Sequence, residues 1–302
     1  MALPVQALNL KRFLRLDRMR KEHGTPFKSE TLVPMHERIS IALVSDINLY
    51  PAPLDGQMAP GGDLRPPLNS IVLYEESQVL LQETVRELIQ RKGENAIDFV
   101  VFGGSQVYLA KDYALFVDVA NDLSKFGIPY YSMLGANEAQ ALSYVKPYQK
   151  DNYYMLKVKD LAILLLDNVT EPVVPEYLPE EATEQYLWLK NKLAQLEREQ
   201  NQVMIFAYKP LETKTKNLIN KFQNLNLKLI AHSSFYEYSQ YQAGKDYGLK
   251  LASKPVIVSN SSISAYPLSY TMIERDANGL LKVYNKEVDL PGLRNLAKER
   301  WN

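Results

Sequence analysis

Apolar residues recur along this chain in two alternating patterns. Short β-rich runs such as Ile39-Ser40-Ile41-Ala42-Leu43-Val44, Ile97-Asp98-Phe99-Val100-Val101-Phe102 and Pro129-Tyr130-Tyr131-Ser132-Met133-Leu134 read as strands. Between them lie stretches with helical spacing. Tyr74 to Lys92 repeats through Val79, Leu80, Val85, Leu88 and Ile89 and stops at Gly93; a second helix is expected over Tyr113 to Phe126. Tyr153 to Asp167 reads as a hairpin around Lys157-Val158-Lys159-Asp160. A helix follows from Thr183 to Gln200, capped by Thr183, with Leu187, Leu189, Leu193 and Leu196 recurring. The spacing then predicts a strand at Val203–Phe206, a helix at Lys216–Phe222 and a strand at Leu227–Ile230 that ends before Ala231-His232. Val256–Ser259 and Ser269–Glu274 read as antiparallel strands, and Asp276-Ala277-Asn278-Gly279 as a turn before Lys282-Val283-Tyr284. Strands alternating with helices, with polar loops after the strand ends, give an α/β domain whose ligand site lies at the carboxyl ends of the strands.

Two stretches stand apart from this alternation. Residues 1–38 form a basic extension to the main domain at 39–302. Its segment from Asn9 to Glu22 carries Lys11, Arg12, Arg15, Arg18, Arg20 and Lys21, with Leu10, Phe13 and Leu14 spaced for one face of a short helix. An arm packed on the domain, a docking segment for an acidic partner or membrane surface, and a disordered tail all fit that pattern. The second stretch is the Pro/Gly-rich loop from Tyr50 to about Pro67, which is long for a simple connector.

Composition narrows the function classes. Lys plus Arg equals Asp plus Glu at 35 each, so bulk charge gives no argument for nucleic acid. No cysteine is present, which excludes disulfides, thiolate metal sites and a cysteine nucleophile. No apolar run is long enough to span a bilayer, and no export signal is visible. The start Met1-Ala2-Leu3-Pro4 fits equally a chain whose signal was removed. The twenty tyrosines and absent cysteine lean the location slightly outside the cytoplasm. Nothing points to an oligomeric state.

Candidate chemistry sits just after the predicted strands, in Ser45-Asp46-Ile47-Asn48, Gly103-Gly104-Ser105, Gly135-Ala136-Asn137-Glu138, Tyr208-Lys209-Pro210-Leu211 and Ala231-His232-Ser233-Ser234. In order and context these segments resemble the metal-binding signature of the calcineurin-like metallophosphoesterases: D-x-H, G-D, G-N-H-(D/E), H-x-P and G-H-x-H. Glu184-Gln185 with Trp188-Leu189 and the Tyr266-Pro267 strand entrance extend the likeness over about residues 39–285. The resemblance implies two packed mixed β-sheets flanked by helices, a four-layer sandwich. It also implies a degenerate metal site. Asp46 matches the first carboxylate and His232 one His of G-H-x-H. Asn48, Ser105, Ala136, Asn137, Tyr208 and Ser234 stand where the family has ligands or the transition-state His, and Glu138 keeps the acid that orients that His.

Two dications held close together need several anionic or imidazole donors, and one carboxylate with one imidazole does not supply them. The expectation is a protein with no metal or other cofactor, inactive as a phosphoesterase, that binds a protein partner. A divergent metal-dependent hydrolase and a non-catalytic binder of a glycan or small phosphorylated or sugar ligand are the alternatives. For partner contact the sequence offers Tyr50 and Arg65 in the long loop, Phe235, Tyr236 and Tyr238 in an aromatic run reaching to Tyr247, and Arg15 and Arg18 in the basic segment. No glycine-rich phosphate loop or nucleophile elbow is present. Asn168-Val169-Thr170 and Asn260-Ser261-Ser262 match glycosylation sequons by chance.

Overall fold

A computed structural model describes residues 31–32, 38–51, 70–94, 96–174, 183–233, 238–242 and 247–301. The basic segment with Arg15 and Arg18, the loop 52–69 with Arg65, and Ser234, Phe235 and Tyr236 lie outside the described residues.

The larger sheet has seven strands. They are β1 (Thr31–Leu32), β5 (Tyr154–Val158), β6 (Leu161–Leu166), β7 (Gln202–Ala207), β8 (Asn226–His232), β10 (Val256–Ser259) and β9 (Ser239–Gln242), in that spatial order. The smaller sheet has five, ordered β12 (Leu281–Glu287), β11 (Ser269–Arg275), β2 (Ile39–Val44), β3 (Phe99–Phe102) and β4 (Tyr130–Ser132). Both are mixed: β6, β7, β8 and β10 run parallel, as do β2, β3 and β4, while the β5–β6, β9–β10, β2–β11 and β11–β12 pairs are antiparallel.

Strand alternation builds three apolar layers. Ile41, Leu43, Phe99 and Val101 of the smaller sheet meet Leu156, Ile163, Met204, Phe206 and Leu229 of the larger one in a shared core. The other face of the smaller sheet, with Ala42, Val100, Phe102 and Met272, is covered by α1 (Ser77–Gly93) and α2 (Tyr113–Lys125). The other face of the larger sheet, with Leu164, Val203, Ile205 and Ile257, is covered by α5 (Glu184–Glu199) and α6 (Thr213–Ile219). Helix, sheet, sheet and helix form the expected four layers. Short helices α3 (Ala136–Ala139) and α4 (Leu142–Val145) follow β4, and α7 (Pro291–Trp301) closes the chain over Leu73, Leu80 and Leu268. Among the described residues no helix is long and apolar enough to cross a membrane.

Several local expectations need correction. The hydroxyl of Thr183 caps α5 by accepting from Tyr186 N, but Leu187 is exposed. Leu187 and Leu189 are two residues apart, hence about 200° around a helix, and cannot share its buried face. Val79 of α1 is likewise exposed, while Leu81, Val85 and Leu88 face the sheet and Leu80 packs under α7. Helix α6 begins at Thr213, earlier than its apolar spacing implied. The strands β10 and β11 lie in different sheets; β10 is antiparallel to β9, and β11 to β2 and β12. Strand β9 falls in the stretch read as an aromatic run, and β1 adds two residues of the expected extension to the sheet edge.

Candidate functional site

Loops at the carboxyl ends of β2, β3, β4 and β7 bring Asp46, Asn48, Ser105, Asn137 and Tyr208 into one hydrogen-bonded group. The Tyr208 hydroxyl lies 2.8 Å from Ser105 Oγ and 3.4 Å from Asp46 Oδ1. Asn137 Nδ2 donates to Asn48 Oδ1 at 3.3 Å and to the Val107 carbonyl at 2.8 Å. Asn48 Nδ2 in turn donates to the Asp46 carbonyl at 3.1 Å and toward Ser264 Oγ at 3.3 Å.

The backbone here is tightly folded. Asp46, Asn48 and Ser105 adopt φ of 50°, 51° and 50°, a left-handed conformation that side chains with a Cβ rarely take. Cross-links between loops hold it. Asp46 N donates to Gly104 O at 3.0 Å and Asn48 N to Ser105 O at 2.8 Å. The Asp46 carbonyl accepts from Ser262 Oγ at 2.8 Å and Ser264 Oγ at 2.6 Å. Close approach explains two glycines. A Cβ on Gly104 would lie 2.5 Å from Tyr208 Cδ2, and one on Gly135 would lie 1.9 Å from Ser105 N. Sequence reasoning missed the serines of Ser261-Ser262-Ile263-Ser264, whose signal was a run of small polar residues directly after a strand.

Glu138 ties this group together from below. Its carboxylate accepts from Ser105 N at 2.9 Å, Gly135 N at 2.8 Å and Val107 N at 3.0 Å. Burial pushes its pKa up to about 7, although the bonds from Val107, Gly135 and Ser105 pull the other way. Burial likewise raises Asp46 well above the usual carboxylate range, with the hydrogen bond from Tyr208 opposing and the nearby Glu138 adding to the rise. Asp46 Oδ2 is buried without a hydrogen-bond partner. Burial therefore works against the charged form of both carboxyls, and the three backbone N–H bonds to Glu138 work for it.

His232 belongs elsewhere. It is the last residue of β8, in which Ile230 packs toward the helices and Ala231 toward the shared core. Alternation turns His232 to the helix side, opposite Ser259 of β10 in the register. Its pKa falls to about 4 through burial and through the charge of Lys216 on α6. Asp46 and His232, the two residues that match family ligands, are therefore not brought together: Asp46 bonds within the Tyr208 group and His232 turns to the helix side.

The remaining candidates divide by position. Tyr238 is half-buried, its hydroxyl donating to Gln240 Oε1 at 2.7 Å. Tyr50 is 4% exposed and packs edge-on against Tyr108, so its ring belongs to the interior and presents almost no area to a partner. Both sequons are sealed inside the fold: the Asn168 amide bonds Lys209 N and O, and Asn260 Nδ2 bonds Ser45 Oγ.

The residues present do not fit a pair of divalent cations. Around Tyr208 the candidate ligands are a single carboxyl, neutral amides, a hydroxyl and a phenol, and they already bond to one another. Among the described residues no group of three or more His, Asp or Glu side chains is placed to hold a metal ion.

No protein-family model matches the sequence, and no curated protein matches it either. Solved structures do resemble the fold. A dimetal phosphatase from Danio rerio matches with a TM-score of 0.53 at 13% identity, over 83% of this chain and 99% of that one. The purple acid phosphatase PPD1 from yellow lupin (Lupinus luteus) seeds matches at 0.50 and 12% identity, over 86% of this chain and 55% of that one. GAP50, titled the anchor in the inner membrane complex of Plasmodium, matches at 0.50 and 10% identity, over 87% of this chain and 94% of that one. The chain has the calcineurin-like metallophosphoesterase fold.

Proposed function

We propose that this chain is a phosphoesterase-fold protein that does not hydrolyse phosphoesters at its strand ends and works as a binding module for a protein partner. The observation that carries the reading is the Tyr208 hydroxyl, set against Ser105 Oγ at 2.8 Å and Asp46 Oδ1 at 3.4 Å. In the family pattern those positions belong to a ligand His, the bridging Asp and the first Asp. A phenol, a hydroxyl and a single carboxyl that bond one another do not supply the several anionic or imidazole ligands that two cations need.

A scaffold stripped of its chemistry keeps its loops and concave shape, and function then resides in the surface. The neighbour GAP50, by its title an anchor, gives a precedent for an anchoring role on this fold. The proposed contacts are the loop 50–67, the run 235–247 with Tyr236 and Tyr238, and the basic segment 9–22.

The deciding experiment combines elemental analysis of the purified protein with hydrolysis of bis(p-nitrophenyl) phosphate in added Mn²⁺. We expect no stoichiometric Mn, Fe or Zn and no turnover above the metal blank. About two transition-metal ions per chain, or turnover abolished by Asp46→Asn, would sink the reading in favour of a divergent hydrolase. For the surface, a folded Tyr236→Ala/Tyr238→Ala variant that binds its partner as tightly as the natural chain would place the interface elsewhere.

A further inference from the structure

Near the carboxyl end of β6 and the start of α5, aromatic surface is rimmed by acidic side chains. The Tyr153 ring, just before β5, packs against the Trp188 ring of α5 with centres 5.1 Å apart at 55°. Both residues are half-buried, and Leu187 beside Trp188 is 41% exposed. Glu184, in the first turn of α5, lies three and four residues before Leu187 and Trp188 and so shares their face of the helix. The turn after β6 brings Glu171 toward the same place. The Gln185 amide of α5 accepts from Asp167 N at 2.9 Å and donates to Asp167 O at 2.7 Å, and Asp167 Oδ1 accepts from Val169 N and Thr170 N at 3.0 Å each. Asp151 stands two residues before Tyr153. All three acidic residues are exposed, and among the described residues none is in an ion pair. Burial raises the Tyr153 phenol above its ordinary pKa, and the charges of Glu184, Glu171 and Asp151 add to the rise. Residues 175–182 lie outside the described residues; by sequence they carry Glu176, Glu180 and Glu181 and no Lys or Arg, so they bring no opposite charge.

The chain's own basic segment is tethered close by. Strand β1 pairs parallel with β5, Thr31 opposite Lys157, so the amino end of β1 points toward the end of β5 that Tyr153 precedes. Lys157 and Tyr153 are four residues apart, roughly 13 Å along an extended chain. The stretch between Glu22 and Thr31 can span up to roughly 30 Å, ample for the segment 9–22 to reach the patch. Lys11, Arg12, Arg15, Arg18, Arg20 and Lys21 complement the carboxylates, and Leu10, Phe13 and Leu14 complement the aromatic surface. We propose that the segment 9–22 docks on its own chain, on the surface formed by Tyr153, Leu187 and Trp188 with Asp151, Glu171 and Glu184 around it. Arginine suits such a surface because it stacks on aromatic faces and pairs with carboxylates. Single exposed ion pairs contribute little. A short tether, however, holds the segment at an effective concentration in the millimolar range, so weak contacts suffice. Docked there, the segment is withheld from an outside acidic partner until that partner displaces it. The inference stands whether or not the strand ends are catalytic.

The test reads tryptophan fluorescence in the full chain, which has 2 tryptophans. Trp301→Phe leaves Trp188 as the reporter, and acrylamide, a neutral quencher, measures how far its ring is covered. We expect Arg15→Glu/Arg18→Glu to raise the quenching constant about twofold or more, and Glu171→Lys/Glu184→Lys to do the same. Joining the two pairs of reversals in one chain should restore protection relative to either pair alone. High salt should expose Trp188 in the unreversed chain and change little in Arg15→Glu/Arg18→Glu. Circular dichroism checks that each variant is folded. If Trp301→Phe misfolds, the same comparison is made with Trp301 kept, because its contribution is common to every variant. Quenching left unchanged by both reversals, no recovery when they are combined, or protection that falls on dilution, the mark of a second copy as occupant, overturns the proposal.

Discussion

Two polar regions lie at strand carboxyl ends, one over β2, β3, β4 and β7 and one at the ends of β8 and β10, and they differ in how donors and acceptors are matched. Around Tyr208 the replaced positions bond one another: phenol to hydroxyl and carboxyl, amide to amide, Ser262 and Ser264 to the Asp46 carbonyl. At the ends of β8 and β10 the polar residues His232 and Ser259 are buried side by side in the register, and Lys216 of α6 lies over the Tyr247 ring. The first region is a connected network, whereas the second leaves a buried hydroxyl, Ser259 Oγ, without a hydrogen-bond partner. Matching inside a network, more than burial alone, separates the two.

The largest effect should come from Tyr208. Tyr208→Ala leaves a cavity and strands two buried groups, and should cost roughly 3–5 kcal/mol in urea unfolding. Tyr208→Phe removes only the hydroxyl shared by Ser105 and Asp46, and should cost roughly 1–3 kcal/mol. Lys216→Met, beside the second region, should stay within about 1 kcal/mol. Equal costs for Tyr208→Phe and Lys216→Met would erase the contrast.

The two regions should also respond to pH with opposite sign. The folded state holds Glu138 protonated to about 7, whereas the unfolded chain releases that proton near 4.5. Stability from this group is therefore greatest at low pH and declines as pH rises from 4.5 to about 7; Asp46, also raised, adds to the decline. His232 does the reverse: the unfolded chain takes up a proton below 6.5, the folded one only near 4, so stability rises over that interval. Urea midpoints measured from pH 4 to 8 should show a shallow profile between 4.5 and 6.5 where the two oppose. His232→Gln should expose the falling limb and Glu138→Gln should flatten it. Profiles unmoved by either change would contradict these assignments.

The smallest effect is expected at Asp46. Asp46→Asn keeps the carbonyl that serves Ser262 and Ser264 and retains an acceptor for Tyr208. Its cost should be roughly 1 kcal/mol or less, with function unchanged. Loss of all measurable function at an unchanged melting temperature would mean that the carboxyl does more than hold a turn.

Much of this architecture was legible in the sequence because it is local. The runs at 39–44, 97–102 and 129–134 carry strand signals into polar loops, and those loops form the Tyr208 group. What the sequence hid is long-range. Helix α7 was missed because its few apolar residues find partners only on Leu73, Leu80 and Leu268. The membership of β10 and β11 in separate sheets depends on β8 and β2, far away in the chain. His232 shows how one boundary misleads. Ending the strand at Ile230 leaves the imidazole free in a loop near Asp46, whereas a strand running through His232 lets the pleat turn it to the opposite face.

The Asp46–Tyr208–Ser105 chain also bears on evolutionary reversibility. To hold a metal pair in the family pattern, position 105 would need a carboxylate and the phenol at 208 would have to give way to an imidazole. Either change alone is costly. Ser105→Asp would set another carboxyl beside Asp46 and Glu138, with no cation to offset their repulsion. Tyr208→His would remove the phenol that bonds both Ser105 and Asp46 while too few anionic ligands stand ready. Each intermediate is less stable than the present protein and gains no metal in return. On the function proposed above, the hydrogen-bond chain would act as a ratchet, each single step toward a metal site breaking a bond before any cation could be held.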